Sequence, residues 1–234
     1  MFSTTDERNG DRFRLVVFDW DGTLMDSEAQ IVAAVQAAIV DLDCAPRTDA
    51  ACKDIIGLGL KEAVESLYPG YDAGFMTQFV ERYRHHWFAD YGSSQLFPGA
   101  RDTLAGLKQA GFQLAVATGK GRPGLDRSLA ETGLDALFDA TRCADETRSK
   151  PHPQMLQELL DELKCTPDRA LMVGDTEFDM HMARSAGTGA LAVSYGVHDR
   201  ERLLRCRPLA CIDAIEELQP WLGVRPADTA LAKG

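Results

Sequence analysis

The sequence predicts an α/β protein: a doubly wound parallel sheet carrying an all-helical insertion near its N-terminus. Three observations carry this reading. Short apolar runs rich in branched residues recur along the chain and end in Asp, Thr or Ser, the pattern of strands buried on both faces. From about residue 93 onward, stretches of helical spacing alternate with these runs. Residues 28–92 break that rhythm, with helical patterns and no convincing strand. The expected organisation is therefore a Rossmann-like core of residues 1–27 and 93–234, interrupted by a helical cap domain of residues 28–92.

The first strand is Arg14-Leu-Val-Val-Phe-Asp19. In the insertion, Ser27 can cap a helix with apolar positions Ile31, Val35, Ala38, Ile39 and Leu42. Asp72 can cap another through Phe75, Phe79, Tyr83 and Trp87, whose spacing reads as core packing rather than substrate stacking. Back in the core, a helix after Pro98-Gly99 carries Leu104 and Leu107 and stops at Gly111. Strands follow at Phe112 to Ala117, Ala170 to Val173 and Ala190 to Val193, with a weaker one at Leu209 to Ile212. A helix with Met155, Leu156, Leu159, Leu160 and Leu163 lies between the strands Phe112 to Ala117 and Ala170 to Val173. The last dozen residues read as frayed. Right-handed crossovers bring the carboxyl ends of all the strands to one edge, and the insertion leaves from that edge, where it can serve as a lid.

Composition narrows the function. The 234 residues, 45% hydrophobic and 26% charged, suit a folded protein with a substantial core. With 25 basic against 36 acidic residues the net charge is −11, which disfavours nucleic acid and anionic membranes as partners. The longest near-apolar run, Ile31 to Val40, is broken by Gln36 and too short to span a membrane. The cysteines at 44, 52, 143, 165, 206 and 211 include no Cys-x-x-Cys and no zinc spacing, so reduced, mostly buried thiols in a cytoplasmic protein are expected.

Four strand-end segments hold the candidate chemistry. Asp19-Trp-Asp21-Gly-Thr23 sets two carboxylates two residues apart at a strand terminus. Such a pair repels itself unless a cation neutralises it or one group is protonated. Gly174-Asp175-Thr-Glu-Phe-Asp179 repeats the pattern after a second strand, and two acidic strand ends side by side make a hard-oxygen site that suits Mg²⁺ better than zinc. Asp179 follows Asp175 by one helical turn if the helix begins there, close enough to support the same site. Thr118-Gly119-Lys120-Gly121 offers a hydroxyl and free backbone N–H groups before a helix, a receptor for phosphate. Lys150, in Ser149-Lys150-Pro151-His152-Pro153, precedes another helix. Singly, each has an ordinary structural reading: a capped turn for the aspartates, a common strand-to-helix turn for Thr118, a solvated lysine for Lys150.

In their order along the chain the four segments resemble the motifs of the haloacid dehalogenase-like superfamily of phosphohydrolases, cap insertion included. Within it the chain looks most similar to the phosphoglycolate phosphatase group, through Phe18 to Ser27, Gly57-Leu58-Gly59-Leu60-Lys61-Glu62 and Lys150-Pro151-His152-Pro153. The resemblance implies that Asp19 is a nucleophile forming an aspartyl-phosphate and Asp21 the general acid and base. It implies that Thr118, Gly119 and Lys150 receive the phosphoryl group. Mg²⁺ is the implied cofactor, held by Asp19, Asp175 and the Asp21 carbonyl, with Asp179 orienting Lys150 or a metal-bound water. Two positions depart from the group. Trp20 stands where a smaller aliphatic residue is common and could narrow the entrance beside the nucleophile, and Gly119 stands where Asn or Ser is common.

The activity so implied is Mg²⁺-dependent hydrolysis of a small-molecule phosphomonoester by a monomer or homodimer, with 2-phosphoglycolate the favoured substrate. A sugar-phosphate phosphatase, a β-phosphoglucomutase-like mutase and a pyrophosphatase share the core, and a catalytically idle phosphate-sensing module is the non-enzymatic alternative. Lys61, near the start of a helix, is placed to meet a substrate carboxylate or to be an ordinary solvated lysine. His85, His86, His152 and His181 lack a third ligand at metal spacing and read as surface or packing residues.

Overall fold

In a computed structural model, which describes residues 9–89 and 94–224, the core is a six-stranded, all-parallel sheet. Its strands are β1 (Leu15–Phe18), β4 (Gln113–Thr118), β5 (Ala140–Cys143), β6 (Ala170–Gly174), β7 (Gly189–Val193) and β8 (Ala210–Ile212), in the order β5-β4-β1-β6-β7-β8. A short pair, β2 (Met25–Asp26) and β3 (Gln95–Leu96), stands apart from it. The helices are α1 (Asn9–Arg12), α2 (Glu28–Asp41), α3 (Asp49–Asp54), α4 (Leu60–Leu67), α5 (Ala73–Ala89), α6 (Ala100–Gln109), α7 (Arg122–Thr132), α8 (Gln154–Glu162), α9 (Glu177–Ala186), α10 (Arg200–Arg205) and α11 (Leu218–Trp221).

The period-two alternation of the strands sorts their side chains onto two apolar layers. Val16, Phe18, Leu114, Val116, Leu171 and Val173 pack with Leu104 and Leu107 of α6 and Leu125 of α7. Leu15, Val17, Ala115, Ala117, Ala170 and Met172 pack with Met155 and Leu159 of α8 and Met182 of α9. Every side chain of β1 is therefore out of water, which is why that strand reads as an unbroken apolar run. The registers Phe18–Val116 and Phe18–Val173 bring the ends of β1, β4 and β6 level at one edge.

Helices α2 to α5 form a separate apolar cluster, with Ile31, Val35, Ala38, Cys52, Ile56, Val64, Phe79 and Trp87 at its centre. The chain leaves for this cluster through β2 and returns through β3, which pair antiparallel with Met25 opposite Leu96. Among the described residues no helix is long and apolar enough to cross a membrane.

Several expectations need correction. Ser27 sits at the N-cap of α2 without capping it, because its hydroxyl is committed to Asp21. Asp72 does cap α5, accepting the Phe75 N–H at 2.8 Å. The strand expected to end at Ala117 runs to Thr118, and β5, Ala-Thr-Arg-Cys at the sheet's edge, carries too little apolar surface to be read as a strand. Helix α8 begins at Gln154 with Pro153 as its N-cap. All six cysteines are free, but only Cys52 and Cys143 are buried and the other four are half-buried. The expected fraying of the last dozen residues falls largely outside the described residues, as does the domain boundary at 92–93.

Trp20 does not narrow any entrance. Its side chain alternates away from Asp19 and Asp21 into the sheet's apolar layer, fully buried and 6.3 Å from the Phe138 ring. Trp20→Ala is expected to lower the free energy of unfolding by about 3–5 kcal/mol, read from urea denaturation, as a cavity in a packed core requires.

Candidate active site

At the carboxyl edge of the sheet, β1 delivers Asp19, whose N–H donates to the Val173 carbonyl of β6 at 2.9 Å. The chain then turns at Gly22, with φ +83°, where any Cβ would lie 2.2 Å from the Asp175 carboxylate. Only glycine satisfies both the left-handed backbone and that approach. The turn points Thr23 at Asp175, and its hydroxyl donates to Oδ1 at 2.8 Å while the Val197 N–H donates to Oδ2 at 2.8 Å. Thr176 N-caps α9, so Asp175 precedes the helix instead of opening it. Asp179 closes the capping box through Oδ2, accepting from the Thr176 N–H and hydroxyl.

Lys150 reaches into this carboxylate group. Its Nζ lies 2.7 Å from Asp19 Oδ1 and 2.6 Å from Asp179 Oδ1, with no side-chain exposure. Carboxylate oxygens of Asp19, Asp175 and Asp179 lie within 4.8 Å of one another. Burial pushes Asp19 well above the usual carboxylate range; Lys150 pulls it back, while Asp179 and Asp175 add to the rise. Burial, then Asp179, pushes Asp175 up to about 7 against the hydrogen bonds from Val197 and Thr23. For Lys150, burial works against the ammonium, but Asp179 and Asp19 more than offset it and hold the group above its ordinary value.

Residues 16–193 match the family of haloacid dehalogenase-like hydrolases. The chain belongs to this family. This haloacid dehalogenase-like hydrolase is 34% identical over 210 residues to the "Probable phosphatase IndB" of Dickeya dadantii (strain 3937), covering 87% of the chain and 91% of the relative. It is 34% identical over 221 residues to a phosphoglycolate phosphatase of Rhodospirillum rubrum, covering 90% and 91%. A solved haloacid dehalogenase-like hydrolase of Bacteroides fragilis, 27% identical, superimposes with a TM-score of 0.82 over 88% of this chain and all (100%) of the other. These relatives make the chain a phosphoric monoester hydrolase.

Three fully buried carboxylates against one buried ammonium leave the hydrolase short of positive charge, and among the described residues Asp19 Oδ2 has no hydrogen-bond partner. A hard divalent cation fits this oxygen set. Thr118, at the end of β4, is buried, and its hydroxyl accepts the Lys120 N–H at 3.1 Å. Gly119 has a local reason: a Cβ there would lie 2.4 Å from the Leu58 carbonyl of the helical insertion, so neither Asn nor Ser fits beneath that loop. The same loop donates from the Gly59 N–H to Ser149 Oγ at 2.6 Å, beside Lys150.

A chamber of about 420 Å³ opens between the insertion and the sheet edge, lined at one end by Asp19, Asp21, Gly119 and Lys120. Lys61, second residue of α4, also lines it and is exposed, whereas Lys150, Asp175 and Asp179 lie behind Asp19. Tyr83 and Trp87 line it as well, so these two aromatics do more than pack the insertion's core. Of the histidines, His86 pairs with Asp41 at 2.8 Å and His152 Nδ1 accepts from the Gln154 N–H at the start of α8, while His181, expected at the surface, is half-buried with Cys206 Sγ at 3.9 Å and Glu177 beside it.

Lys120 is the residue that sequence reasoning passed over. Its Nζ lies 2.8 and 3.0 Å from the two oxygens of Asp21 and 4.2 Å from the centroid of the Trp87 ring on α5. Ser27 donates to the same carboxylate at 2.6 Å. Lysines carry no spacing signal at such a position; the one available hint was the strand end two residues before it.

Because folded Asp175 keeps its proton to about pH 7, against 3.8 for an ordinary Asp, the folded state binds the extra proton between those values. Ionising it therefore costs stability as pH rises through that window in the absence of metal. Thermal melts in chelator should show Asp175→Asn gaining on the wild type between about pH 4.5 and pH 8, and Mg²⁺ should raise the wild-type Tm more at the higher pH.

Proposed function

We propose that this hydrolase is a Mg²⁺-dependent phosphomonoesterase that works through an aspartyl-phosphate on Asp19, with the helical insertion as a cap over the site. The observation that carries the reading is the buried Lys150–Asp19 pair at the foot of the chamber. The Trp20 N–H, 2.7 Å from Asp19 Oδ1, and Lys150 hold one carboxylate oxygen and leave Oδ2 with its lone pairs free, as a nucleophile or metal ligand needs.

When bound, Mg²⁺ supplies the positive charge that lets a carboxylate approach a phosphate dianion. Asp19, Asp175 and the Asp21 carbonyl would hold it. Asp179 keeps Lys150 aimed at the phosphoryl oxygens, and Thr118 with the turn at Gly119 offers hydrogen bonds to the same group. Asp21 would protonate the leaving alkoxide and then take a proton from the attacking water. In the structure Asp21 pairs with Lys120 and accepts from the Ser27 hydroxyl.

Asp19→Asn should lower kcat by at least about 1,000-fold while leaving a folded protein, and should abolish covalent labelling by phosphate mimics. Substantial steady-state activity in that variant would refute the aspartyl-phosphate. Asp21→Asn should slow ethyl phosphate far more than p-nitrophenyl phosphate, whose phenolate needs little protonation.

One candidate leaving group is glycolate, after the name of the Rhodospirillum relative, and if 2-phosphoglycolate is turned over Lys61 is the residue that would meet its carboxylate. Lys61→Ala should then reduce kcat/KM for 2-phosphoglycolate by about 1.5–3 kcal/mol in transition-state free energy, and by clearly less for p-nitrophenyl phosphate. Equal losses would remove Lys61 from substrate recognition.

A further inference from the structure

We infer that the chamber selects a phosphomonoester whose leaving group carries a ring-sized apolar body, in preference to a two-carbon acid. This rests on the reading of Asp19 as the phosphoryl acceptor. The chamber's 420 Å³ equals the liquid volume of roughly 14 water molecules, far more than a phosphoryl group and a glycolate fill.

The insertion contributes a set of apolar side chains to the lining. Ile31 and Val35 come from α2, Ile55 and Ile56 from the turn after α3, and Val80 and Phe88 from α5. Ile31, Val35, Ile55 and Ile56 are buried and present little of their own surface, whereas Val80 and Phe88 are half-buried and are the apolar side chains a ligand would cover. The cations that share the lining, Lys61 and Arg84, are exposed, and Glu62 and Asp145, also in the lining, balance them. Among the described lining residues the side chains therefore leave no net positive charge to favour a second anion, and Lys120 pairs with Asp21. A two-carbon acid would leave the aliphatic wall unused or in contact with trapped water. An apolar body would cover it, and contacts with leaving-group atoms remote from the phosphorus are the interactions by which an enzyme chooses among esters that present the same phosphoryl group.

The test is kcat/KM of the Mg²⁺-loaded wild type for ethyl phosphate, 2-phenylethyl phosphate and 2-phosphoglycolate, with p-nitrophenyl phosphate as the general reporter. The first two release primary alcohols of similar basicity, so their ratio isolates the apolar body. We expect 2-phenylethyl phosphate to exceed ethyl phosphate on the order of 30-fold, the value of burying one phenyl group, and to exceed 2-phosphoglycolate as well. Val80→Trp, which fills the chamber, should cut the phenylethyl-to-ethyl ratio at least about fivefold. Val80→Asp, which keeps the space but makes its wall polar, should lower the same ratio, so the outcome does not hang on one variant folding. A ratio near one in the wild type, or a preference for 2-phosphoglycolate, would overturn the inference and leave the phosphatase reading standing. Failure to turn over any ester, p-nitrophenyl phosphate included, would sink both.

Discussion

Asp19, Asp175 and Asp179 are buried around a single buried ammonium, Lys150, at the level edge of three parallel strands. Removing such groups from water is expensive, and their mutual attraction offsets the cost only where distances are short and the remaining lone pairs are satisfied. Much of the local architecture serves that condition. The Gly22 turn brings Thr23 onto Asp175, the loop after β7 adds the Val197 N–H, and the capping box of α9 holds Asp179 so that its second oxygen faces Lys150. The negative excess that survives is a standing demand for a cation, and it adds to the burial that raises Asp175 and Asp19.

A second set of contacts ties the helical insertion to this edge. The loop Gly57 to Gly59 rests on Gly119 and Ser149, Lys120 joins Asp21 to the Trp87 ring, and Arg202 of α10 bonds both Glu177 of α9 and Asp54 of α3. Each contact ends on a residue of the catalytic edge or within a few positions of one. The insertion and the charge cluster are thus one mechanical assembly, and a change in the seat of one alters the hydrogen bonds of the other.

What the sequence made legible follows from how local each signal is. Asp19 and Asp175 stand immediately after unbroken apolar runs, so strand ends and acidic groups could be read together, and Lys150 gained meaning from their company. The six-stranded sheet was legible except for β5, whose Thr141 and Arg142 are half-buried at an edge and break the apolar pattern. The expectation that Trp20 narrows the entrance rests on its place beside the nucleophile, whereas strand alternation sends that side chain to the opposite face and into the core. Lys120 and Gly119 depend on the Trp87 ring and the Leu58 carbonyl, partners distant in the chain that no local spacing reveals. Pocket size was equally hidden, being set by the seating of one cluster on another.

The antiparallel pair of Met25–Asp26 with Gln95–Leu96 carries both crossings of the chain side by side. Two adjacent, hydrogen-bonded strands resist sliding and twisting far more than they resist flexing along their common line. The insertion is consequently hung on this pair like a leaf on a strap hinge, and any opening about it has to part the contacts that fasten the leaf elsewhere, the Asp54–Arg202 ion pair and the Gly59–Ser149 hydrogen bond among them.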